Sequence, residues 1–342
     1  MSIPNAAAKT GHLITNTQEL EFHQHEVEFP SCGATLRGQL LLPKTEGRHA
    51  AIAMAPGMSG VKEGSIMKFA EFFASGGFAV LAYDNINFGS SGGEPRQEVD
   101  PVLQRRGYRD AITFLSLRPE IEVERIGIFG TSYSGGHVLE VAAHDRRVKC
   151  VVSQIPAISG FEAFRRSVRP DARGAVLKRQ NKDRESRFLG RDPAMVKAVS
   201  DDPAEFRAMP GRASFDYFMQ QARVAPNWRN ELTLRSMDLY RGIDNAPFVS
   251  WISPTPLLMI VALGDEVTPP DLSLDAYSKA KEPKRLLLLA GNHFAPYSEE
   301  FTLAGDEARD WFTRHLVVGG SLALRFLPEQ TLAHGEGVSI QL

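Results

Sequence analysis

The stretch Arg125-Ile-Gly-Ile-Phe-Gly-Thr-Ser-Tyr-Ser-Gly-Gly-His137 limits what this chain can fold into more than any other. Apolar residues run into Gly130, small residues surround Ser132, and Val138-Leu-Glu-Val-Ala-Ala143 supplies good helix formers. The pattern predicts a short buried strand, a sharp turn and a helix. Such a reversal tolerates only small neighbours, and it lifts the Ser132 hydroxyl above the helix N-terminus. Ser132 is the centre of Gly-x-Ser-x-Gly, with Ser134 standing in the last position. Alone, the pentapeptide fits a nucleophile elbow or an ordinary glycine-rich strand–helix turn.

The flanking pattern narrows the choice. Residues 26–29 and 35–42 read as an opening antiparallel pair around a turn at 31–34. Further short apolar strands are predicted at 50–55, 78–83, 148–155, 256–262 and 285–290. Helical patterns fall at 62–76, 108–117, 271–280 and 304–316. Strands alternating with helices through short connections predict an α/β fold with a mostly parallel, doubly wound sheet. Residues 25–160 and 246–316 would form that core. Between them, 161–245 is charged and helical, divided by Pro170, Pro193, Pro203, Pro210 and Pro226. We expect this insertion to act as a lid over the C-terminal edge of the sheet. The extension 317–342 would add a strand or two, or carry homodimer contacts.

Composition sets bounds on function. Of 342 residues, 43% are apolar and 23% charged, and the formal net charge is −2. No basic surface for nucleic acid follows from that balance. Within 161–191, ten Lys/Arg face four Asp/Glu. That excess reads as a solvated helical face, or as an attractor for an anionic substrate or partner. Cys32 and Cys150 form no disulfide framework and read as free thiols. The polar start of the chain lacks a signal-peptide apolar run, so a soluble, cytoplasmic protein is expected. Residues 246–264 carry no formal charge over 19 positions, but Pro247, Pro254 and Pro256 argue against a membrane helix. No His-Glu-x-x-His, cysteine cluster or Gly-x-Gly-x-x-Gly is present, so neither a metal nor another cofactor is expected.

A serine hydroxyl becomes a nucleophile only when a base takes its proton, and the base needs an orienting carboxylate. Ser132, Asp265 and His293 occur in that order, each just after a predicted strand. Glu266 competes with Asp265 for the orienting role. His137 would pack beneath the elbow, and Asp84 would hold a loop. Two backbone amides, Met58 in Pro56-Gly-Met-Ser-Gly60 and Tyr133 after the serine, would face an oxyanion.

With these residues the chain resembles the α/β-hydrolase superfamily. Within it, the match is to the branch of dienelactone hydrolases, cocaine-esterase-like peptidases and polyketide transferases. Pro56-Gly-Met-Ser-Gly-Val-Lys62, Gly130-Thr-Ser-Tyr-Ser-Gly-Gly-His137, Asp265-Glu-Val-Thr-Pro269 and Gly291-Asn-His-Phe294 carry the resemblance. It implies a nucleophilic Ser132, an acidic Asp265, a base His293, and oxyanion amides at Met58 and Tyr133. Pro56 stands where many relatives have histidine, Asn85 and Asn87 where arginine is frequent, and Ser134 where glycine is usual. The expected activity is cleavage of a small-molecule ester or thioester through an acyl-enzyme. Acyl transfer, with a carrier-bound or CoA-linked donor, is the second reading. A non-catalytic ligand-binding protein is the third.

Overall fold

The computed structural model describes residues 20–317; of the C-terminal extension, only Val317 falls among them. Cys32 and Gly33 both adopt positive φ, 51° and 78°. That two-residue geometry folds β1 (Phe22–Ser31) back antiparallel on β2 (Ala34–Pro43). Both strands run longer than the apolar pattern suggests, because polar His23 and His25 still pair their backbone with Leu42 and Leu40.

Next come β3 (His49–Ala55), α1 (Ser65–Ser75), β4 (Ala79–Tyr83), α2 (Pro101–Ser116), β5 (Ile121–Thr131), α3 (Tyr133–His144) and β6 (Val148–Gln154). Helix α2 begins at Pro101 rather than at Tyr108. Asp100 caps it by accepting from the Val102 and Leu103 amides at 2.9 and 3.1 Å, and Pro101 fits the first turn, which needs no N–H. The charged Arg105-Arg106 face hid those first turns from a reading based on apolar spacing.

The chain then leaves the sheet for α4 (Gly160–Ser167), α5 (Pro170–Phe188), β7 (Met195–Val196), α6 (Arg212–Gln221), β8 (Leu232–Thr233) and α7 (Leu234–Arg241). The β7–β8 ribbon was not anticipated, since two-residue strands are too short to show a period. Both ends of this excursion are pinned together. Gly160 donates its N–H to Ile243 O at 3.0 Å, and Asn245 donates to Ile158 O at 2.8 Å. A methyl group at Gly160 would lie 1.8 Å from Tyr240 O, so only glycine fits that crossing. The uncharged stretch that follows is a 3₁₀ turn (Ala246–Trp251) leading to β9 (Leu257–Ala262). After it come α8 (Pro270–Ser278), β10 (Lys284–Leu289) and α9 (Phe301–Phe312). The last passes into a wider π-type turn, Thr313–Val317. No helix among the described residues is long and apolar enough to cross a membrane.

The sheet has eight strands in the order β1-β2-β4-β3-β5-β6-β9-β10. Every pair from β4 to β10 is parallel, while β1–β2 and β2–β4 are antiparallel. The expected α/β-hydrolase sheet is therefore the one that forms. Alternate residues serve opposite faces: Ala51, Ala53 and Ala55 of β3 pack under α2 and α3, Ile52 and Met54 under α1 and α9. On the second face Phe73 packs edge-on against Phe129 and Phe312, with centroids 5.4 and 5.6 Å away. A third apolar cluster joins the excursion to the body, through Val199, Met209, Phe218 and Leu234 against Phe88, Tyr133 and Phe294.

Strand order reverses at β3, with β4 on one side and β5 on the other. Open α/β sheets leave a crevice beyond the strand C-termini at such a point. Tyr108 ties β3 to β5 there: the hydroxyl accepts from the Ala55 amide at 3.0 Å and donates to Phe129 O at 3.0 Å. Tyr108→Phe should strand a buried amide and cost about 1–3 kcal/mol of stability. The urea midpoint measures it; an unchanged midpoint would remove this tie from the account.

Candidate active site

Ser132 closes β5 and caps α3 with φ 58° and ψ −119°. That conformation is strained for a residue with a Cβ, and it persists only where the surroundings enforce it. Here they do. Ser132 donates its N–H to Gln154 O at 2.9 Å, and its carbonyl accepts from Ala157 at 2.9 Å and Gly136 at 3.2 Å. A methyl group on Gly130 would sit 2.2 Å from Ser134 O, and one on Gly136 2.3 Å from Ala157 O. The small residues legible in the sequence are therefore required by close backbone contact.

The C-terminal ends of β5, β9 and β10 bring three distant residues together. His293 Nε2 lies 2.9 Å from Ser132 Oγ, and His293 Nδ1 lies 2.6 Å from Asp265 Oδ2. The carboxylate fixes the ring proton on Nδ1, which leaves Nε2 free to accept from the serine. Asp265 is held in turn: the Val267 and Thr268 amides donate to Oδ1, each at 2.8 Å. Burial pushes the Asp265 carboxyl up, but the His293 charge and the hydrogen bonds from His293 and Thr268 outweigh it, and its pKa lies below the ordinary value. Such a chain can draw the proton from a hydroxyl and return it to a leaving group.

Thr268 belongs to the Asp265–Pro269 motif. Its hydroxyl lies 2.7 Å from Asp265 Oδ2, 3.0 Å from Ile155 O and 3.2 Å from His293 Nδ1. A Thr three residues after an Asp is the spacing of a local side-chain turn, the signal by which it was legible. The competitors separate cleanly. Glu266 is exposed and makes no hydrogen bond to His293, whereas Asp265 is buried and makes one. His137 is buried under the Tyr133 ring, its Nε2 3.2 Å from Gln104 Oε1, and burial holds its pKa well below the ordinary range.

The Pro56–Gly60 loop leans directly on the elbow. A methyl group added to Gly57 would fall 3.2 Å from Ser132 Cβ and 3.1 Å from Thr131 O. Among the described residues, no acceptor engages the Met58 or Tyr133 amide. The two therefore remain available beside Ser132. The unusual residues Pro56, Asn85 and Ser134 meet at one atom. The Ser134 hydroxyl donates to Pro56 O, and Asn85 Nδ2 donates to the same oxygen at 3.1 Å. Further along the loop, buried Asp84 accepts from the Lys62 amide at 2.7 Å, from Lys62 Nζ at 2.9 Å and from the Ser90 amide at 2.9 Å. Asp84 is a loop clamp, as expected.

Two cavities share Ser132, Met58 and Met209 in their walls. One, of about 60 Å³, is bounded by Tyr217, Phe218, Trp228, Phe294 and Tyr297. The other, of about 540 Å³, lies beneath α4 and α5. Five of the ten Lys/Arg at 161–191 are held by carboxylates. Arg165 pairs with Glu162, Arg166 with Asp271, Arg169 with Asp171, Arg184 with Asp238 and Arg187 with Asp183. Among the described residues no group of three or more His, Cys, Asp or Glu could hold a metal ion. Cys32 is free and exposed, Cys150 free and buried.

The chain has recognisable relatives. Residues 13–295 match the family described as X-Pro dipeptidyl-peptidase (S15 family). A thiohydrolase of Aspergillus aculeatus, aneE, is 34% identical over 271 residues, covering 76% of this chain and 83% of that one. The polyketide transferase claH of Penicillium crustosum is 30% identical over 284 residues, 80% of this chain and 92% of that one. Among solved structures, the α/β-hydrolase GrgF from Penicillium sp. sh18 superposes with a TM-score of 0.76 at 26% identity, covering 86% of this chain and 99% of that one. The expected superfamily and branch are both borne out: this chain belongs to the S15 family and is an enzyme of the serine α/β-hydrolase type.

Proposed function

We propose that the enzyme cleaves a small-molecule thioester or ester through an acyl group carried on Ser132. The observation that carries this reading is the unbroken hydrogen-bond chain Ser132–His293–Asp265 beside two unengaged amides. Ser132 Oγ attacks the carbonyl carbon while His293 Nε2 takes its proton. The oxyanion is received by the Met58 and Tyr133 amides, the second at a helix N-terminus. His293 then protonates the departing sulfur or oxygen. Water repeats the sequence in reverse, releasing the acid and restoring Ser132. Asp265 holds the imidazole and stabilises its cation, and Thr268 holds Asp265. The 161–245 insertion serves as the lid, since its residues wall both cavities. We choose thioester first because a relative spanning most of this chain is named a thiohydrolase.

Acyl transfer is the second reading, supported by a relative named a polyketide transferase and by the presence of two cavities at Ser132. For a carrier-borne donor the docking charge would come from Lys178, Arg179, Lys182 and Arg191. None of these has a carboxylate partner among the described residues. A rate with carrier-bound donor that falls steeply with salt, while the rate with a small thioester does not, supports that docking; equal salt dependence removes it.

Labelling with a fluorophosphonate tests the nucleophile. Native protein should label, Ser132→Ala and His293→Ala should not, and kcat/KM on p-nitrophenyl esters should fall roughly 10⁴-fold or more in both. Label persisting in Ser132→Ala would assign the chemistry to another residue. Ser134→Ala or Asn85→Ala should each lower kcat about tenfold with KM little changed, because each loosens the Pro56 carbonyl and with it the Met58 amide. Their double mutant should lose less than the product of the two, since both act on one atom; full additivity would contradict the shared role.

Acidity supplies a further check. Because the folded-state pKa of Asp265 is depressed, its contribution to stability is complete above the ordinary carboxylate range and lost as pH falls through the folded value. The stability difference between native protein and Asp265→Asn, read from urea midpoints, should therefore shift against the native protein between about pH 5 and pH 2. A difference independent of pH over that window would contradict the ionised, held carboxylate.

A further inference from the structure

We infer that the two cavities divide the substrate at Ser132: the 540 Å³ cavity takes a long, mainly apolar acyl chain, and the 60 Å³ cavity takes the leaving group and then the acyl acceptor. The inference rests on the acyl-enzyme reading above and adds the direction in which each part of the substrate lies.

The direction follows from the proton. When the C–S or C–O bond of the substrate breaks, the departing atom takes its proton from His293 Nε2. When the acyl-enzyme is discharged, the attacking oxygen gives its proton to the same nitrogen as it bonds to the acyl carbon, and Ser132 Oγ recovers one as its bond breaks. Leaving group and acceptor therefore share the side of Ser132 on which His293 stands. His293 and Phe294 wall the small cavity and not the large one. Tyr133 and Thr268 wall the large cavity and not the small one. The acyl chain is left with the large side.

The walls say what chemistry each side accepts. Val168, Ala172, Val176 and Gln180 lie four residues apart along the chain, and all four wall the large cavity. Within α5, the last three form one stripe. Phe206, Met209 and Met237 add further apolar surface, while Arg166, Arg169, Glu205, Arg207 and Glu266 also wall this cavity and leave it mainly, not wholly, apolar. A volume of about 540 Å³ falls in the range that holds a drug-sized ligand. The small cavity is aromatic, and among the described residues no Lys, Arg, Asp or Glu walls it. It suits water, a small neutral alcohol, or the slender uncharged end of a thiol. Selectivity should thus reside in the acyl group, and any transfer should go to small neutral acceptors.

The test uses N-acetylcysteamine thioesters from butanoyl to dodecanoyl, with methanol and benzyl alcohol as competing acceptors. Val176→Trp, and Ala172→Phe as a second variant, should lower kcat/KM for dodecanoyl relative to butanoyl about tenfold or more, and leave the ester-to-acid product ratio unchanged. Trp228→Ala, with Gln221→Ala on the same wall as the second variant, should raise benzyl ester over methyl ester about tenfold and leave the chain-length profile unchanged. Responses exchanged between the two sets overturn the division, and so does a set that moves neither quantity. Fluorophosphonate labelling of each variant separates the two claims. Label on Ser132 with the wrong selectivity response overturns the division alone, whereas label elsewhere overturns the acyl-enzyme reading beneath it.

Discussion

The close backbone approach around Ser132 is the constraint on which the rest depends. A serine at φ 58° is stable only because Gln154, Ala157 and Gly136 hold its peptide groups and because Gly130 leaves no side chain in the way of Ser134 O. The same crowding fixes the neighbouring loop. Gly57 packs against the elbow, while Ser134 and Asn85 both grip Pro56 O. Ser132 and the Pro56–Gly60 loop are thus positioned together rather than as two independent features. Strain of this kind belongs where pre-organisation is needed, and the surrounding sheet supplies the stability that tolerates it.

Around that contact the sheet does the long-range work. Residues separated by 133 and 28 positions, Ser132 to Asp265 and Asp265 to His293, meet because parallel strands end at one edge. The reversal of strand order at β3 places the Pro56 loop beside β5 at that edge. The excursion over the edge then completes the walls, docking Tyr217 Oη on Ser65 Oγ at 2.7 Å and Tyr217 against the Phe294 ring at 4.4 Å. Its arginines mostly neutralise local carboxylates, and Arg166 clamps Asp271 of α8 with two bonds at 2.7 and 2.8 Å. Lys178, Arg179, Lys182 and Arg191 remain without a carboxylate partner among the described residues.

What the sequence made legible is what short-range pattern controls. Buried strands such as 257–262 are continuous apolar runs, and the elbow is small residues around a serine; both signals are local. Asp265 comes directly after the strand, ahead of its competitor Glu266, and it is Asp265 that meets His293. Less was legible where charge covers a helix, as in the first turns of α2, or where strands are two residues long, as in β7 and β8. Pro56, Asn85 and Ser134 looked like separate departures from a familiar pattern, because nothing in their spacing reveals a shared hydrogen-bond acceptor. Thr268 does carry a local signal, three residues after Asp265, but its approach to a histidine 25 residues away is invisible in that spacing.

Rapid-quench mass spectrometry of the enzyme mixed with a decanoyl thioester tests the central claim most directly. Free thiol should appear in a burst approaching one equivalent per chain whenever deacylation is the slower step, and the decanoyl mass should be found on the peptide containing Ser132. The same peptide should remain unmodified in His293→Ala. A decanoyl group on any other residue, or steady turnover in Ser132→Ala at the native rate, would contradict the account.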